Sequence, residues 1–292
     1  MMKKSIEKLD FNSLSYERFI ELYFTPEQPV IITNIETPNN NQLTPEKIID
    51  RFYDENNRKA GWFDTAILPT EKSIFPTPDL VNKILNRKDI SMRKQPMRVF
   101  MQPNKHKTLL HYDGNSLHGL NLQIRGKKDW LIISPDTPVS SAPFNFFSVV
   151  GSNFTPNANK HDFYEFSTLP GELLFLPRYW QHMVDSVEKI NINFNWVFTP
   201  LTPNLNSTLG RREAELLKLR QKIPIFRNIT VNGDELYGGR GLPLEREYAA
   251  KVKTSSACSR LIKELLYVFP LLLHMNDINR QAKTFSKNNF NI

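Results

Sequence analysis

The chain has 292 residues, 40% of them hydrophobic, and 38 Lys and Arg against 30 Asp and Glu give a formal charge of +8. That length and apolar content suffice for one large core, and there is room for about one large domain. A single cysteine excludes an internal disulfide framework, no apolar run reaches the about 18 residues of a membrane helix, and the opening Met1-Met2-Lys3-Lys4 lacks the apolar core of a signal peptide. A cytoplasmic chain with no membrane association is expected. Twenty prolines, only 11 glycines and many short alternating runs favour a mainly β fold, and no GxGxxG or P-loop is present to hold a nucleotide.

In chain order, residues 14–24 and 44–54 read as helices, Pro29 to Asn34 as a strand and Asp79 to Arg87 as a short helix, before a β-rich body that begins near Pro96. His111, Tyr112 and Asp113 follow on a strand-like segment. Side chains on a strand alternate, so His111 and Asp113 share a face about 7 Å apart at Cα while Tyr112 faces the other way. In Gln123 to Pro135, alternation sets Lys128 on the same side as Trp130 and leaves Lys127 opposite, solvated. Between Pro135 and Phe166 lies a segment rich in Pro, Ser, Asn and Phe, including Ala142-Pro-Phe-Asn-Phe-Phe, which is long enough for a functional loop or a packed insertion.

His182 comes 69 residues after Asp113, in Leu173-Leu-Phe-Leu-Pro-Arg-Tyr-Trp-Gln-His182-Met-Val. Pro170-Gly171 opens that run and Pro177 interrupts it, which predicts two short strands around a turn. Two histidines and one carboxylate make the donor set that leaves positions free on non-haem Fe(II). A structural zinc site would want four ligands, usually with cysteines, and only Cys258 is available. Taken alone, His-X-Asp is a common tripeptide, and an ordinary surface strand competes with the metal reading. Asn191, Asn193 and Asn195 alternate with apolar residues up to Phe198, so one face of that strand is all amide; it is either solvated or turned to the interior. His118 reads as a hydrogen-bonded or exposed loop residue, and His106, His161 and His274 as structural or solvent-facing.

After Pro203 the pattern turns helical. Leu209, Leu216 and Ile223 recur every seventh residue among charged neighbours, and further helical stretches run over Glu245–Lys253 and Ser259–Phe269, ended or kinked by Pro270. These stripes suit either a dimer interface or a cover over the body of a monomer.

Four stretches carry a resemblance. Thr108-Leu-Leu-His111-Tyr-Asp113, Gln123-Ile-Arg-Gly126-Lys-Lys128-Asp-Trp to Pro135, Gly171 to Ser186, and Ile190 to Trp196 occur in the order found in JmjC-type, cupin-fold 2-oxoglutarate oxygenases. The stretch from Thr108 to Trp196 resembles in particular the small protein hydroxylases of the factor-inhibiting-HIF group, and Tyr16 to Asn34 also resembles that family's entry helix and strand. The resemblance implies a double-stranded β-helix (jelly roll) core, with residues 1–203 as the catalytic domain and 204–292 as a C-terminal helical segment of the kind that mediates homodimerisation. By the same resemblance His111, Asp113 and His182 would hold Fe(II), and Lys128 would pair with the distal carboxylate of 2-oxoglutarate. Thr108 would place its hydroxyl near that carboxylate. Asn195 would lie beside the site, although a shift of two selects Asn193. Asn121 is the candidate for the amide expected between Asp113 and Gly126, an interval about two residues longer here than in the asparaginyl hydroxylases.

The implied reaction uses O2 and 2-oxoglutarate, releases succinate and CO2, and hydroxylates a C–H bond. A protein or peptide substrate ranks first, an RNA base second, since the net charge supports only non-specific attraction, and histone demethylation third. From a different class, the chain could be a catalytically silent cupin acting through its helices, or a cupin using zinc or manganese; Lys128 separates these, because only an oxoglutarate enzyme needs that cation.

Overall fold

Serine at position 15 starts the first helix: its side chain accepts a hydrogen bond from the Arg18 N–H, an N-cap for α1 (Tyr16–Phe19), which continues as a π-helical turn over Ile20–Phe24. Phe19, Tyr23 and Phe24 are its buried face. The computed structural model describes residues 3–37, 47, 63–66, 77–106, 108, 110–113, 116–136, 142–144, 147–149, 162–202, 204–207 and 210–211. The helices expected over 44–54 and across 204–292 therefore lie outside the described residues, apart from 47, 204–207 and 210–211, as do His161, Cys258 and His274. The expected helix at 79–87 is α2 (Asp79–Leu85).

The strands are β1 (Lys3–Lys4), β2 (Lys8–Asp10), β3 (Val30–Thr33), β4 (Phe63–Ala66), β5 (Ile90–Pro103), β6 (His111–Asp113), β7 (His118–Arg125), β8 (Lys128–Ile133), β9 (Ala142–Phe144), β10 (Phe147–Val149), β11 (Phe163–Thr168), β12 (Leu173–Leu176), β13 (Gln181–Ser186) and β14 (Ile190–Pro200). They form two sheets, ordered β1-β11-β8-β13-β6-β10-β9 and β2-β3-β12-β7-β14-β5-β4. From β5 to β8 and from β11 to β14 the chain passes from one sheet to the other at each strand or hairpin. This winding is the mainly β, jelly-roll core expected from the sequence.

The larger apolar core lies outside the space between the sheets. Ile192, Phe194 and Trp196 of β14, Leu120, Leu122 and Ile124 of β7, and Met97, Val99 and Met101 of β5 cluster with Phe19, Phe24, Leu80, Val81 and Ile84 of the two helices. Each such buried side chain contributes roughly 1.5–3 kcal/mol. Strand alternation turns the opposite face of the same strands, with Arg98, Phe100 and Gln102, Asn121 and Gln123, and Asn191, Asn193 and Asn195, towards the other sheet. A smaller cluster of Trp130, Ile132 and Val184 with Ile31, Leu174, Leu176 and Trp180 fills part of that space.

One expectation changes: the β-rich body expected to begin near Pro96 starts at Ile90, with β5. Its pairing with β14 jumps from Trp196↔Met97 to Phe198↔Met92, so Pro96 falls in a bulge, where its missing N–H costs no ladder bond. The segment between Pro135 and Phe166, left open between loop and insertion, contains paired strands: β9 and β10 pair there, and β10 pairs with β6, Val149 opposite His111 and Phe147 opposite Asp113.

Candidate functional site

Position 182 on β13 stands directly opposite position 111 on β6. Asp113 is two residues along β6, so backbone register brings all three residues expected as metal ligands onto one face of one sheet. His182 is buried, and its Nδ1 lies 3.1 Å from the Trp180 carbonyl oxygen. A carbonyl can only accept, so this contact suits the tautomer with its proton on Nδ1 and fixes the orientation of the ring. The side chain of His111 lies outside the described residues; among the described residues no three His, Cys, Asp or Glu side chains gather as a metal set. Two imidazoles and a carboxylate nevertheless match the donor chemistry of an open Fe(II) site.

The turn before His182 is tightly held. Tyr179 takes a left-handed backbone (φ 67°), as does Ser116 (φ 56°), and their hydroxyls hydrogen-bond each other. Tyr112, which alternation sets on the strand face opposite positions 111 and 113, is buried with its ring 5.9 Å from that of Tyr179. Arg178 in the same turn donates through Nε to Glu27 Oε1 at 2.7 Å and through Nη1 to the Thr202 carbonyl at 2.7 Å. Trp180 Nε1 donates to the Glu27 carbonyl at 3.0 Å, so the end of the N-terminal helix and the chain after β14 both brace the approach to His182. Thr108 accepts from the Val184 N–H at 2.9 Å, while its own N–H donates to the Val184 carbonyl, which fixes the residues leading into β6 against β13.

Lys128 is buried, opposite Ser186 on β13 and Thr168 on β11. Lys127 faces the other way, half-exposed, in an ion pair with Asp129 at 3.3 Å, as alternation required. Burial pushes the Lys128 ammonium down to about 7. Among the described residues no carboxylate answers it, and its recorded contact is the Phe100 ring, 6.0 Å from Nζ to centroid. A buried cation without a counter-anion fits an acidic ligand.

The amide stripe faces inward. Asn191, Asn193 and Asn195 are all buried. Asn195 pairs in register with Asn121 and donates through Nδ2 to Asn121 Oδ1 at 2.5 Å, so the two amides named from the sequence meet. A Cβ on Gly119 would stand 3.1 Å from Asn121 Nδ2, so glycine there leaves the pair its room. Asn191 Oδ1 instead accepts from the Lys127 N–H and closes the corner at Gly126, whose φ of 77° suits glycine. Between these positions Gln123 is fully buried, and its Oε1 has no hydrogen-bond partner among the described residues.

Arg98 was missed by the sequence reading. It sits opposite Asn195, its guanidinium carbon 5.3 Å from the Phe100 centroid. Burial pushes it down to about 10 against the opposing charge of Asp113. The available signal was the alternation of Arg98, Phe100 and Gln102 with apolar Met97, Val99 and Met101. His118 lies elsewhere, buried among the rings of Phe24, Phe175 and Phe198, its Nδ1 accepting from the Arg178 N–H at 3.1 Å. His106 is also buried, and its carbonyl accepts from the Ser186 N–H.

A family model described as a cupin-like domain matches residues 34–202. An Arabidopsis thaliana protein named arginine-specific demethylase JMJ20 is 30% identical over 107 residues, 34% of this chain and 23% of that protein. HSPB1-associated protein 1 of Homo sapiens is 30% identical over 95 residues, 27% of this chain and 20% of its own length, and the Danio rerio homologue is 30% identical over 95 residues, 27% and 21%. The match thus spans less than a quarter of each relative.

Proposed function

We propose, for a chain that belongs to the cupin-like domain family, an Fe(II)- and 2-oxoglutarate-dependent oxygenase that hydroxylates a protein or peptide side chain. The observation that carries this reading is the buried, unanswered Lys128 on the same inner face as His182, whose neighbour in register is His111. His111, Asp113 and His182 would hold the metal, and Lys128 the distal carboxylate of the oxo acid. Iron with the oxo acid and O2 would supply the oxidising power for C–H hydroxylation, the oxo acid leaving as succinate and CO2. The chain's own part is to fix His182 through Trp180, to brace β6 against β13 through Thr108, and to line the co-substrate space with the Asn121–Asn195 amide pair. Similarity to a relative named as an arginine-specific demethylase, and to others named for association with a protein, supports a polypeptide target over RNA; hydroxylation of an N-methyl carbon is the demethylase form of the same chemistry.

Anaerobic titration of the purified chain with Fe(II) and 2-oxoglutarate tests the reading. A weak visible charge-transfer band is expected, lost on admitting O2 with release of succinate, and absent in Asp113→Ala and His182→Ala. Unchanged succinate release in Asp113→Ala, or bound metal with neither band nor succinate, would remove the oxygenase assignment.

A further inference from the structure

Lys128 has a companion across one aromatic ring. Phe100 carries Lys128 Nζ at 6.0 Å from its centroid and the Arg98 guanidinium carbon at 5.3 Å, so the two cations can stand no further apart than those distances laid end to end. They come from different sheets, Arg98 on β5 and Lys128 on β8, and meet in the space between. They also mark its two ends. Lys128 pairs with Ser186, whose Oγ reaches Gln102 Oε1 at 3.3 Å, and the nearby Asn191 Nδ2 closes on the Gln102 and Glu188 carbonyls. Arg98 lies opposite Asn195, beside the Asn121 amide, and feels the charge of Asp113.

We propose that Arg98 and Lys128 form a two-cation clamp for a five-carbon dicarboxylate, Lys128 taking the distal carboxylate and Arg98 the carboxylate at the metal end, with the carbon chain lying against Phe100. This rests on the oxygenase reading and adds a second anchoring residue to it. A five-carbon chain separates its carboxyl carbons by at most about 5 Å, so such an acid is short enough to lie between two cations held within that upper limit. Arginine's five donors in a planar fork let it serve Asp113 and a ligand carboxylate together. Each cation is already partly desolvated, so an acid entering between them meets donors that need little reorganisation.

Binding without turnover separates the roles. Glutarate keeps both carboxylates but lacks the oxo group, and 2-oxopentanoate keeps the oxo acid end but lacks the distal carboxylate; both are titrated by calorimetry, glutarate against the metal-free chain and 2-oxopentanoate against the Mn(II)-loaded chain. Arg98→Gln is expected to weaken glutarate about tenfold or more, with partial recovery in Arg98→Lys, and Lys128→Gln to do the same. For 2-oxopentanoate only the Arg98 variants should weaken binding. If Arg98→Gln binds glutarate like the parent while Lys128→Gln does not, the clamp is wrong and the oxygenase reading survives. If Arg98→Gln loses Mn(II) with glutarate binding intact, Arg98 serves Asp113 alone, which also overturns the clamp. A parent chain that binds neither acid, nor 2-oxoglutarate with Mn(II), removes both the clamp and the oxygenase reading.

Discussion

Replacing Lys128 by Met should make the ligand-free chain more stable. The ammonium is buried, and burial pushes it from the ordinary 10.5 down to about 7. Below pH 7 the lysine is charged in folded and unfolded chains alike, and the folded chain carries the whole cost of burying that charge. Between 7 and 10.5 the folded chain holds it neutral while the unfolded chain still binds the proton, so the cost shrinks as pH rises and is gone above 10.5. At about 1.4 kcal/mol per unit the full cost is on the order of 5 kcal/mol, an upper figure that water entering between the sheets reduces. Methionine keeps the length of the side chain without the charge. An increase of about 1–3 kcal/mol at neutral pH is expected, several degrees in Tm. Urea or thermal unfolding of both chains from about pH 6.5 to 9.5 reads it directly: the gap should be widest at the acid end and close by up to about 1.4 kcal/mol per pH unit above 7. A gap that does not change with pH, or a variant less stable throughout, would refute the picture of a lysine kept buried for a ligand. The stabilised variant should also lose dicarboxylate binding, the usual exchange between stability and a charged site.

Two other perturbations address how the site is braced. Arg178→Ala removes the cation from its ion pair with Glu27, which keeps Asn204, and takes a donor from the Thr202 carbonyl; breaking such a pair costs about 3–5 kcal/mol when it is buried; denaturant unfolding should show that loss, and a cost under about 1 kcal/mol would mean that the pair behaves as a surface salt bridge. Burial, and then the Arg178 charge, hold His118 well below 6.5, so the unfolded chain binds the extra proton first and stability should fall as pH drops through the ordinary histidine range. His118→Asn keeps an acceptor for the Arg178 N–H without a proton to gain, so its stability should fall less from about pH 6.5 to 5 than the parent's; parallel curves for the two chains would exonerate His118.

Much of the candidate site was legible because strand alternation is a local rule. It placed Lys127 away from Lys128 and the three asparagines on one face, both as observed, and it set Tyr112, whose ring packs on Tyr179, on the strand face opposite positions 111 and 113. The same rule was silent on which face of β14 is wet. A polar face normally meets solvent, and here the apolar face of Phe194 and Trp196 is covered by the N-terminal helices, so the amides are buried instead; that depends on residues more than a hundred positions away. Arg98 was illegible for a related reason, since an arginine in an alternating strand reads as surface until the opposite sheet is known. The β9–β10 hairpin stayed open between loop and packed insertion because Pro143 and the phenylalanine-rich run carry no clear alternation, and what defines it is pairing with β6.

The position of the core explains how a polar interior is tolerated. In a sandwich whose stability comes from side chains between its sheets, Arg98, Asn193, Asn195 and Lys128 would each displace an apolar contact. Here the stabilising contacts of β5, β7 and β14 are made on their other face, against Phe19, Phe24 and Ile84. Trp196 and Asn195 are neighbours in sequence with opposite duties: one anchors the sheet to the helices, the other faces Asn121. Inward substitutions on these strands should therefore alter binding far more than stability, while outward ones should unfold the chain without touching the site's chemistry. The sheet that holds β13 lacks such a division around His182, where Trp180, just before the strand, and Val184 on it both belong to the inner cluster. The histidine is thus the inward residue whose surroundings stability and binding share.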